Sequence, residues 1–338
     1  MNTDPSAPAG GLVLFQLMES LVTNVAVIAA GELGVVDALA GGPRDSDDLA
    51  QATGSHPPSL RRLLRLLTAA GIVTEPQPGR FSLTEAAASL QATTGSLQPL
   101  FQLFRQVMLP SLLETTSSVR TGEPAFDRLL GAPIYEYLAK HPEHEEAFGQ
   151  MMKLMRDIAG SITDVYDFAG VGTVVDIGGG VGWRTIEILQ AHPTMRGILF
   201  DRPGTTEHAR MALAEAGLSD RTQVVAGSFF DEVPGGGDCH LVSAVLPNWD
   251  DPDALTLLEK CKEALPEDGR LLVFEPVLPE GSEPHLGKVF DLLMLVVLGG
   301  RVRTEAELRH LLEAAGFRVD RVLPTGGAFS VVEAFPAR

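Results

Sequence analysis

The chain has 338 residues, which is long enough for one large domain and a smaller one. Hydrophobic residues make up 45% of it and charged residues 21%, an ordinary composition for a protein with a packed core. Its 44 acidic against 26 basic side chains give a formal net charge of -18, which disfavours nucleic acid and anionic membranes as partners. The two cysteines fit a reducing cytoplasm, and no apolar run approaches the ~20 residues needed to cross a bilayer.

The amino-terminal third predicts a small, mostly helical domain. Residues 1–10 are rich in small residues and proline and carry no positive charge, which predicts a disordered tail and not a signal peptide. Apolar residues at helical spacing then predict helices at Leu12–Leu39, Asp45–Ala52 and Ser59–Ala70. Two short β-prone runs between residues 72 and 83 predict a hairpin. This order of elements over residues 11–95 is typical of a winged helix.

A winged helix raises the possibility of DNA recognition. Arg61, Arg62 and Arg65 lie on the third predicted helix, which reads DNA in many such domains. Because the whole protein is acidic, we favour a solvated helix face over a DNA-binding one. A winged-helix regulator that senses a small ligand remains a third functional hypothesis.

The rest of the chain changes from helical to alternating elements. Residues 96–170 predict a helical linker and substrate lid, and residues 171–338 alternate short apolar runs with helices. The predicted strands are Thr173–Ile177, Gly197–Phe200, Thr222–Val225, His240–Val245, Arg270–Phe274, Arg318–Val322 and Phe329–Ala334. The predicted helices are Gly182–Ala191, Thr206–Ala216, Pro252–Leu265 and Thr304–Ala315. This alternation predicts a parallel, doubly wound α/β sheet.

A glycine-rich turn at Asp176–Gly182 follows the first of these strands. Glycine suits a turn with positive φ angles that lets a ligand approach the backbone, at the strand end where α/β sheets bind ligands. Dinucleotide-binding folds use such a turn too. Asp176, inside the strand, is placed to receive an ammonium group, and Asp201, which ends the next strand, to bridge two ribose hydroxyls. Since NAD sites share the second feature, Asp176 favours S-adenosylmethionine; the alternative is that both acids are caps.

From residue 11 to 338 the chain resembles the S-adenosylmethionine-dependent O-methyltransferases of plant phenolic and bacterial polyketide pathways. The matching segments, in the family's order and spacing, are Asp176–Gly182, Leu199–Pro203, Gly227–Phe230, Val245–Asp251, Glu263–Pro276 and Gly299–Thr304. The resemblance implies a Rossmann-like catalytic domain and an amino-terminal winged helix that forms a homodimer. It also implies S-adenosylmethionine as cofactor and S-adenosylhomocysteine as its product.

The family pattern also implies which residues contact the cofactor: Asp176, Gly178, Gly180, Asp201, Ser228, Phe229, Ser243 and Arg156. The two glycines match the methionine portion and Asp201 the ribose. Ser228 and Phe229 match the adenine, where the family usually has an aspartate in place of this serine, and Ser243 matches the sulfonium end. Arg156 is the candidate for the cofactor's carboxylate because a guanidinium fork fits that anion; the alternative is a surface arginine.

The family's catalytic base is missing. Many members place a histidine two residues before a tryptophan, but here Pro247 precedes Trp249 by two. Glu275 matches one of the two acids that flank this histidine, and Val302 replaces the other. With Asn248 and the Gly300–Thr304 segment, this combination resembles the anthracycline-tailoring branch, which includes methyltransferases without a histidine base and a hydroxylase that keeps the cofactor.

Near-attack positioning can lower the barrier by roughly 7–11 kcal/mol, whereas a general base typically raises the rate only ~10²–10⁴-fold. Methyl transfer therefore does not require a base. The candidate catalytic residues are therefore polar groups. Asn248 is either a hydrogen-bonding group for the substrate or a turn residue. Asp291 either contacts the substrate or caps the predicted helix Asp291–Val297. Glu275 is a candidate because it matches one of the family's acids. A broad apolar pocket for a flat substrate is predicted from Phe104, Met108, Met152, Met155, Trp249, Phe290 and Met294.

The sequence thus predicts a cytoplasmic, homodimeric O-methyltransferase that acts on an aromatic or polyketide hydroxyl in antibiotic biosynthesis. It works by proximity and orientation without a histidine base. The alternative is a tailoring enzyme of the same fold that binds the cofactor for hydroxylation, decarboxylation or rearrangement. No metal site is predicted.

Overall fold

The computed structural model describes residues 9–94 and 96–337, which separate into two compact units. One unit contains the chain up to residue 110 together with residues 135–152, and the other contains residues 111–134 and 153–338. Residues 1–8 of the predicted tail lie outside the described residues, and the first helix begins at Ala9.

The first unit contains the predicted succession of helices and hairpin. Its helices include α1 (Ala9–Glu32), α2 (Val35–Leu39), α3 (Ser46–Ala52), α4 (Pro57–Ala69), α5 (Glu85–Thr94) and α6 (Gln98–Leu103). Its strands are β1 (Arg44–Asp45), β2 (Val73–Gln77) and β3 (Arg80–Leu83), in the antiparallel order β1-β3-β2. On α4 the leucines Leu60, Leu64 and Leu67 are buried. Arg61 donates to Ser46 Oγ at 2.9 Å and pairs with Asp47 at 3.1 Å.

The predicted single helix Leu12–Leu39 is two helices. Gly34 takes a left-handed φ of 74° between α1 and α2, a conformation that glycine adopts without steric cost. The prediction about membrane spans concerned continuous apolar runs, and by length and average composition one helix does qualify. Residues Gly11–Glu32 are long and apolar enough, with a mean hydropathy of 1.8. The polar residues interspersed along this helix interrupt every continuous apolar run, but they do not lower the average enough to exclude it.

The predicted helical region after residue 95 is helical. Its elements are α6, a π-helical turn at Phe104–Met108, α7 (Leu109–Leu113), α8 (Thr115–Thr121), α9 (Ala125–Leu130), α10 (Ile134–Lys140) and α11 (Pro142–Ala159). These elements are divided between the two units.

The second unit is an α/β domain, as predicted. Its strands are β4 (Thr173–Ile177), β5 (Arg196–Asp201), β6 (Thr222–Ala226), β7 (Cys239–Ser243), β8 (Arg270–Leu278), β9 (Arg303–Thr304), β10 (Phe317–Pro324) and β11 (Phe329–Pro336). Its helices after α11 are α12 (Trp183–Ala191), α13 (Pro203–Glu215), α14 (Asp251–Ala264), α15 (Leu286–Val297) and α16 (Glu305–Ala314). The main sheet has the order β10-β11-β8-β7-β4-β5-β6, and β9 pairs with β8.

The sheet is not wholly parallel, which corrects one prediction. Strands β4 to β8 pair in parallel, but β11 is antiparallel to both β8 and β10. Only residues 325–328 join β10 to β11, and a parallel pair needs a crossover of a dozen residues or more. The β10–β11 hairpin therefore forms an antiparallel edge of the sheet.

Apolar side chains cover both faces of the sheet. Val175, Val242 and Val273 pack on one face, and alternate residues of the same strands pack on the other. Such two-sided burial explains the nearly continuous apolar sequence of these strands. The strand order reverses at β4, which is the position where α/β sheets open a ligand crevice.

Candidate functional site

The glycine turn joins β4 to α12 at the reversal of the strand order. Gly178, Gly180 and Gly182 have φ angles of 71°, 59° and 87°, a left-handed region that strongly favours glycine. Gly178 N–H donates to Phe200 O at 2.8 Å, which ties the turn to the neighbouring strand β5.

Side chains crowd the turn at Gly178 and Gly179, whereas the space beside Gly180 is open. A Cβ on Gly178 would lie 2.7 Å from Val245 Cγ2, and one on Gly179 would lie 2.8 Å from Asp176 Cγ. A Cβ on Gly180 would meet no described atom within 4 Å. The backbone at Gly180 is therefore accessible to a ligand, as the assignment to the cofactor's methionine portion requires.

Asp176 lies beneath the turn and is 1% exposed. Its Oδ2 accepts a hydrogen bond from Thr185 Oγ1 at 2.7 Å, whereas its Oδ1 has no hydrogen-bond partner among residues 9–94 and 96–337. Burial raises the pKa of Asp176 to about 6, and the neighbouring Asp201 carboxylate also raises it. A buried carboxylate with an unused oxygen fits a cationic ligand group.

Asp201 holds the turn from the side of β5. Its Oδ2 accepts from Gly180 N–H at 2.8 Å and its Oδ1 from Arg202 N–H at 2.7 Å. The following helix α13 has Arg202 and not Asp201 at its N-cap, without a side-chain cap bond. The capping alternative for Asp201 is therefore wrong, because this carboxylate binds the turn.

Strand β7 contributes a third residue at the same edge of the sheet. Ser243 Oγ is buried and has no hydrogen-bond partner among the described residues. The next residue, Ala244, has a φ of 55° and is the one non-glycine residue with positive φ in the described chain. Such strain costs about 1–3 kcal/mol and clusters at functional sites. The predicted sulfonium end of the pocket thus lies at a strained strand end.

Aromatic rings surround the predicted adenine position after β6. Phe229 packs edge-to-face on Phe230, with ring centroids 4.8 Å apart, and on Trp249 at 5.9 Å. Ser228 Oγ accepts from Phe230 N–H at 3.3 Å, so the serine orders this loop. Trp249, predicted to line the substrate pocket, is therefore in contact with the residue assigned to adenine.

Sequence reasoning missed Arg184, whose guanidinium is 2% exposed. It lies 3.6 Å from the Trp183 ring centroid and 4.0 Å from that of Phe274. Burial lowers the pKa of Arg184 to about 10, and the charges of Glu187 and Asp176 act against this decrease. The predicted carboxylate ligand Arg156 is exposed on α11. The only sequence feature that could have indicated a buried role for Arg184 is its place on a helix face with apolar residues.

Pro247 is buried in a 3-10 turn at Leu246–Asn248. Arg303, which is 1% exposed, donates from Nη1 to Leu246 O at 3.1 Å and from Nη2 to Trp249 O at 3.0 Å. Its Nε and Nη2 also bind Asp251 Oδ1. Asn248 Nδ2 donates to Ala244 O at 3.3 Å. The segment that replaces the family's histidine is thus fixed by a buried arginine that sequence reasoning did not identify.

Glu275 is fully buried, and neither carboxylate oxygen has a hydrogen-bond partner among the described residues. Burial raises the pKa of Glu275 to about 8, and the positive charge of Arg303 only partly offsets this increase. The carboxyl is therefore mostly protonated at neutral pH and cannot serve as a ready base.

Asp291 lies within α15, which begins at Leu286 after the N-cap His285. The predictions that the helix starts at Asp291 and that Asp291 caps it are wrong, because His285 Nδ1 accepts from Gly287 N–H at 3.1 Å instead. Asp291 Oδ1 accepts from Val302 N–H at 2.9 Å, so its carboxylate holds the segment that carries the second replaced position.

The predicted pocket residues belong to both units. Phe104, Met108 and Met152 are in the first, whereas Met155, Trp249, Phe290 and Met294 are in the second. Phe104 and Met108 are the end residues of the π-helical turn, a rare conformation that is frequent at functional sites.

Two known domain families match the chain. Residues 113–318 match the O-methyltransferase domain, and residues 15–93 match the O-methyltransferase dimerisation domain. The chain is 40% identical over 326 residues to a phenazine O-methyltransferase from Lysobacter antibioticus, with 96% of both chains covered.

Two further relatives bear on the chemistry. An O-methyltransferase from neocarzinostatin biosynthesis, solved in complex with S-adenosylmethionine and 2-hydroxy-5-methyl naphthoic acid, superposes with a TM-score of 0.77 at 35% identity. That comparison covers 92% of this chain and 95% of the other. The chain is also 34% identical over 334 residues to an aclacinomycin 10-hydroxylase from Streptomyces purpurascens, covering 95% of this chain and 89% of that protein.

Proposed function

Because this chain belongs to the S-adenosylmethionine-dependent O-methyltransferases, we propose that it methylates a hydroxyl of a planar aromatic natural product without a histidine base. The family, the enzyme class and the cofactor predicted from the sequence are confirmed by these matches. The roles of the site residues and the way in which the proton leaves are the new parts of the proposal.

One observation carries the proposal. The carboxyl ends of three adjacent strands bring together an open glycine turn, the neighbouring carboxylates of Asp176 and Asp201, and the Ser243 hydroxyl. This hydroxyl has no hydrogen-bond partner among the described residues. Asp176 would bind the cofactor's ammonium group, and Asp201, besides holding Gly180, would bind the ribose. Arg156 would bind the carboxylate and Phe229 the adenine.

Bound S-adenosylmethionine supplies a methyl group activated by its sulfonium sulfur. This chain's residues provide the alignment of the substrate oxygen with that methyl group, which in-line transfer rewards most. Pro247, at the position of the family's histidine, has no titratable group. Burial on β8 raises the pKa of Glu275 to about 8, and the Asp291 carboxylate on α15 accepts a hydrogen bond from Val302 N–H. As the new O–CH₃ bond forms and the S–CH₃ bond breaks, the hydroxyl proton passes to water.

The relatives make a flat, hydroxylated aromatic compound the reasonable substrate class, since one acts on a phenazine and another binds a hydroxylated naphthoic acid. Apolar side chains of the predicted pocket suit such a ring. A phenol whose pKa is lowered by conjugation with a carbonyl loses its proton to water without a protein base, so we propose that the substrate carries such a carbonyl. The pathway is then antibiotic biosynthesis, since relatives come from mitomycin, calicheamicin and neocarzinostatin biosynthesis.

The amino-terminal domain pairs two copies of the chain. The match to the dimerisation domain covers residues 15–93, and the first unit presents a row of exposed apolar side chains on α1: Val13, Leu14, Phe15, Leu17, Met18, Leu21 and Val22. A second copy accounts for so apolar an exposed helix, since soluble proteins rarely expose large apolar patches. We therefore propose a cytoplasmic homodimer and not a membrane-anchored chain.

A hydroxylase is the second candidate, because one relative at 34% identity has that activity. In addition, Pro247 replaces the family's histidine and Val302 replaces one of the two acids that flank it. The deciding experiment incubates the dimer with methyl-labelled S-adenosylmethionine and a panel of hydroxynaphthoic acids and hydroxyphenazines. We expect label in an aryl methyl ether and one S-adenosylhomocysteine per product. An oxygenated product without S-adenosylhomocysteine would overturn the proposal in favour of the hydroxylase. Asp201→Ala, which should not bind the cofactor, is the control for enzyme-independent methylation.

A further inference from the structure

A cluster of two histidines and one glutamate lies at the junction of α10 and α11, in the first unit. One ligand atom from each of His141, Glu143 and His144 lies within 4.8 Å of the others. We propose that this cluster binds Zn²⁺ or a similar transition-metal cation. The sequence predicted no metal site, because the grouping of these side chains depends on the turn between the two helices.

The backbone fixes the spacing of the three side chains. His141 O accepts from His144 N–H at 2.9 Å and from Glu145 N–H at 3.0 Å, and His141 N–H donates to Leu138 O at 2.9 Å. Residues three apart on a helical turn lie on the same side of it. The two imidazole centroids are accordingly 5.7 Å apart, so the site is largely formed before a cation arrives.

Tyr137 orients both imidazoles. Its ring stacks on His141 with centroids 4.1 Å apart, and its hydroxyl lies 3.0 Å from His144 Nδ1. In the tautomer whose Nδ1–H donates to the tyrosine oxygen, Nε2 of His144 keeps the lone pair that can bind a cation. A hydrogen bond on the other ring nitrogen is what fixes the tautomer of metal-binding histidines in general.

The donor set selects the cation. Two imidazoles and one carboxylate suit Zn²⁺, Ni²⁺ or Cu²⁺, whereas Mg²⁺ and Ca²⁺ prefer oxygen ligands alone. Tetrahedral Zn²⁺ with bonds of about 2.1 Å needs ligand atoms about 3.4 Å apart. His141 and Glu143 are 41% and 67% exposed, so rotation of their side chains closes the remaining distance. Glu145 and Glu146 follow directly and add negative charge.

Isothermal titration of the tag-free, chelator-treated dimer with ZnCl₂ tests the proposal. We expect one Zn²⁺ per chain with micromolar affinity and no heat from MgCl₂. Single His141→Ala and His144→Ala variants should bind at least tenfold more weakly, and Tyr137→Phe should weaken binding by a smaller factor. The matched control is His56→Ala, since His56 is an exposed histidine at the N-cap of α4, outside the cluster.

Circular dichroism of each variant checks that the helices persist. Because the readout is metal binding itself, it does not depend on cofactor or substrate. Micromolar binding that survives the double substitution of His141 and His144 would place the cation elsewhere and overturn the proposal. Binding weaker than millimolar by the unaltered protein would overturn it as well.

Discussion

The guanidinium of Arg184 and the carboxylate of Glu187 form a largely buried ion pair one turn apart on α12. Glu187 Oε1 also accepts from Ser161 Oγ at 2.7 Å, and Arg184 Nη2 donates to Gly160 O at 2.8 Å. The pair thereby fixes the segment that follows α11, the helix on which Arg156 lies. We expect Arg184 to act through this segment on Arg156, the proposed ligand of the cofactor's carboxylate, and therefore to be a positioning residue.

Replacing Arg184 by methionine should weaken cofactor binding more than it slows turnover. We expect the Kd for S-adenosylmethionine to rise at least tenfold, with kcat at saturation changed less than about threefold. The physical reason is that the substitution removes the hydrogen bond to Gly160 O and the cation beside the Glu187 carboxylate. Removing one partner of a buried ion pair typically costs about 3–5 kcal/mol of stability, and the partial exposure of Glu187 places this pair at or below the lower end. Calorimetric cofactor titration and urea unfolding measure the two effects.

The matched control is Arg309→Met, because Arg309 forms an exposed pair with Glu305 on α16. An exposed pair contributes about 0–1 kcal/mol, so this variant should bind the cofactor normally. Equal cofactor affinity in the two variants would remove the positioning role from Arg184.

Alanine at Gly178 and at Gly180 should have different consequences. Both residues have left-handed φ angles, which cost alanine about 1–2 kcal/mol. Only the Gly178 substitution adds an overlap with Val245 Cγ2, which overpacks the core by roughly a further 1–3 kcal/mol. We therefore expect Gly180→Ala to lose cofactor affinity and about 1–2 kcal/mol of stability, and Gly178→Ala to lose cofactor affinity and roughly 1–3 kcal/mol more stability than that.

Thermal unfolding and cofactor titration, run in parallel on the two variants, separate these outcomes. If Gly180→Ala binds S-adenosylmethionine as tightly as the unaltered protein, the open side of the turn is not the methionine site. Gly204→Ala is a suitable reference, because a Cβ there meets no described atom within 4 Å and its φ is not left-handed.

The buried Glu275 should make the protein less stable as the pH rises from about 4.5 to 8. Between these limits the unfolded chain releases the Glu275 proton while the folded chain, with a pKa of about 8, retains it. The folded state then binds more protons, so this group lowers the free energy of unfolding by up to about 1.4 kcal/mol per pH unit. Above pH 8 the effect is constant.

Glu275→Gln removes the titration and keeps the side-chain size. The difference in unfolding free energy between Glu275→Gln and the unaltered protein should therefore grow from pH 5 to pH 8 in favour of glutamine. Urea midpoints at four pH values measure it. A difference that is independent of pH would mean that Glu275 ionises normally and that its carboxylate is available as a base.

Two substitutions of Asp291 distinguish a structural role from a basic one. Asparagine keeps the Oδ1 acceptor for Val302 N–H, whereas alanine removes it. We expect Asp291→Asn to retain at least half of kcat and Asp291→Ala to lose about tenfold, because a lost acceptor leaves a backbone N–H unpaired at about 1–3 kcal/mol.

Both Asp291 variants are measured by steady-state kinetics with the methyl acceptor that the labelling experiment identifies. The Kd for S-adenosylmethionine should stay unchanged in each, which also checks their folding. A loss of activity in Asp291→Asn as large as in Asp291→Ala would identify Asp291 as a proton acceptor and overturn methyl transfer without a base.

Local sequence determined much of the architecture. Periodicity and turn residues predicted strands β4 to β8, and the element order of the amino-terminal domain, because alternation and helical spacing depend on neighbouring residues. The segment Asp176–Gly182 indicated the cofactor because an acid inside the strand, just before the glycine turn, distinguishes S-adenosylmethionine sites from dinucleotide sites that share the turn. The loss of the base at Pro247 is likewise a property of single positions.

Only the tertiary structure decided how that site is held. The sequence did not single out Arg184 or Arg303, yet both are buried and bind backbone carbonyls of distant segments. Asp291 was expected at a helix end and instead holds Val302, eleven residues away. Such contacts depend on which elements pack together, and no local pattern encodes that packing. The sequence therefore determined which cofactor the fold binds, and the packing decided which residues position it.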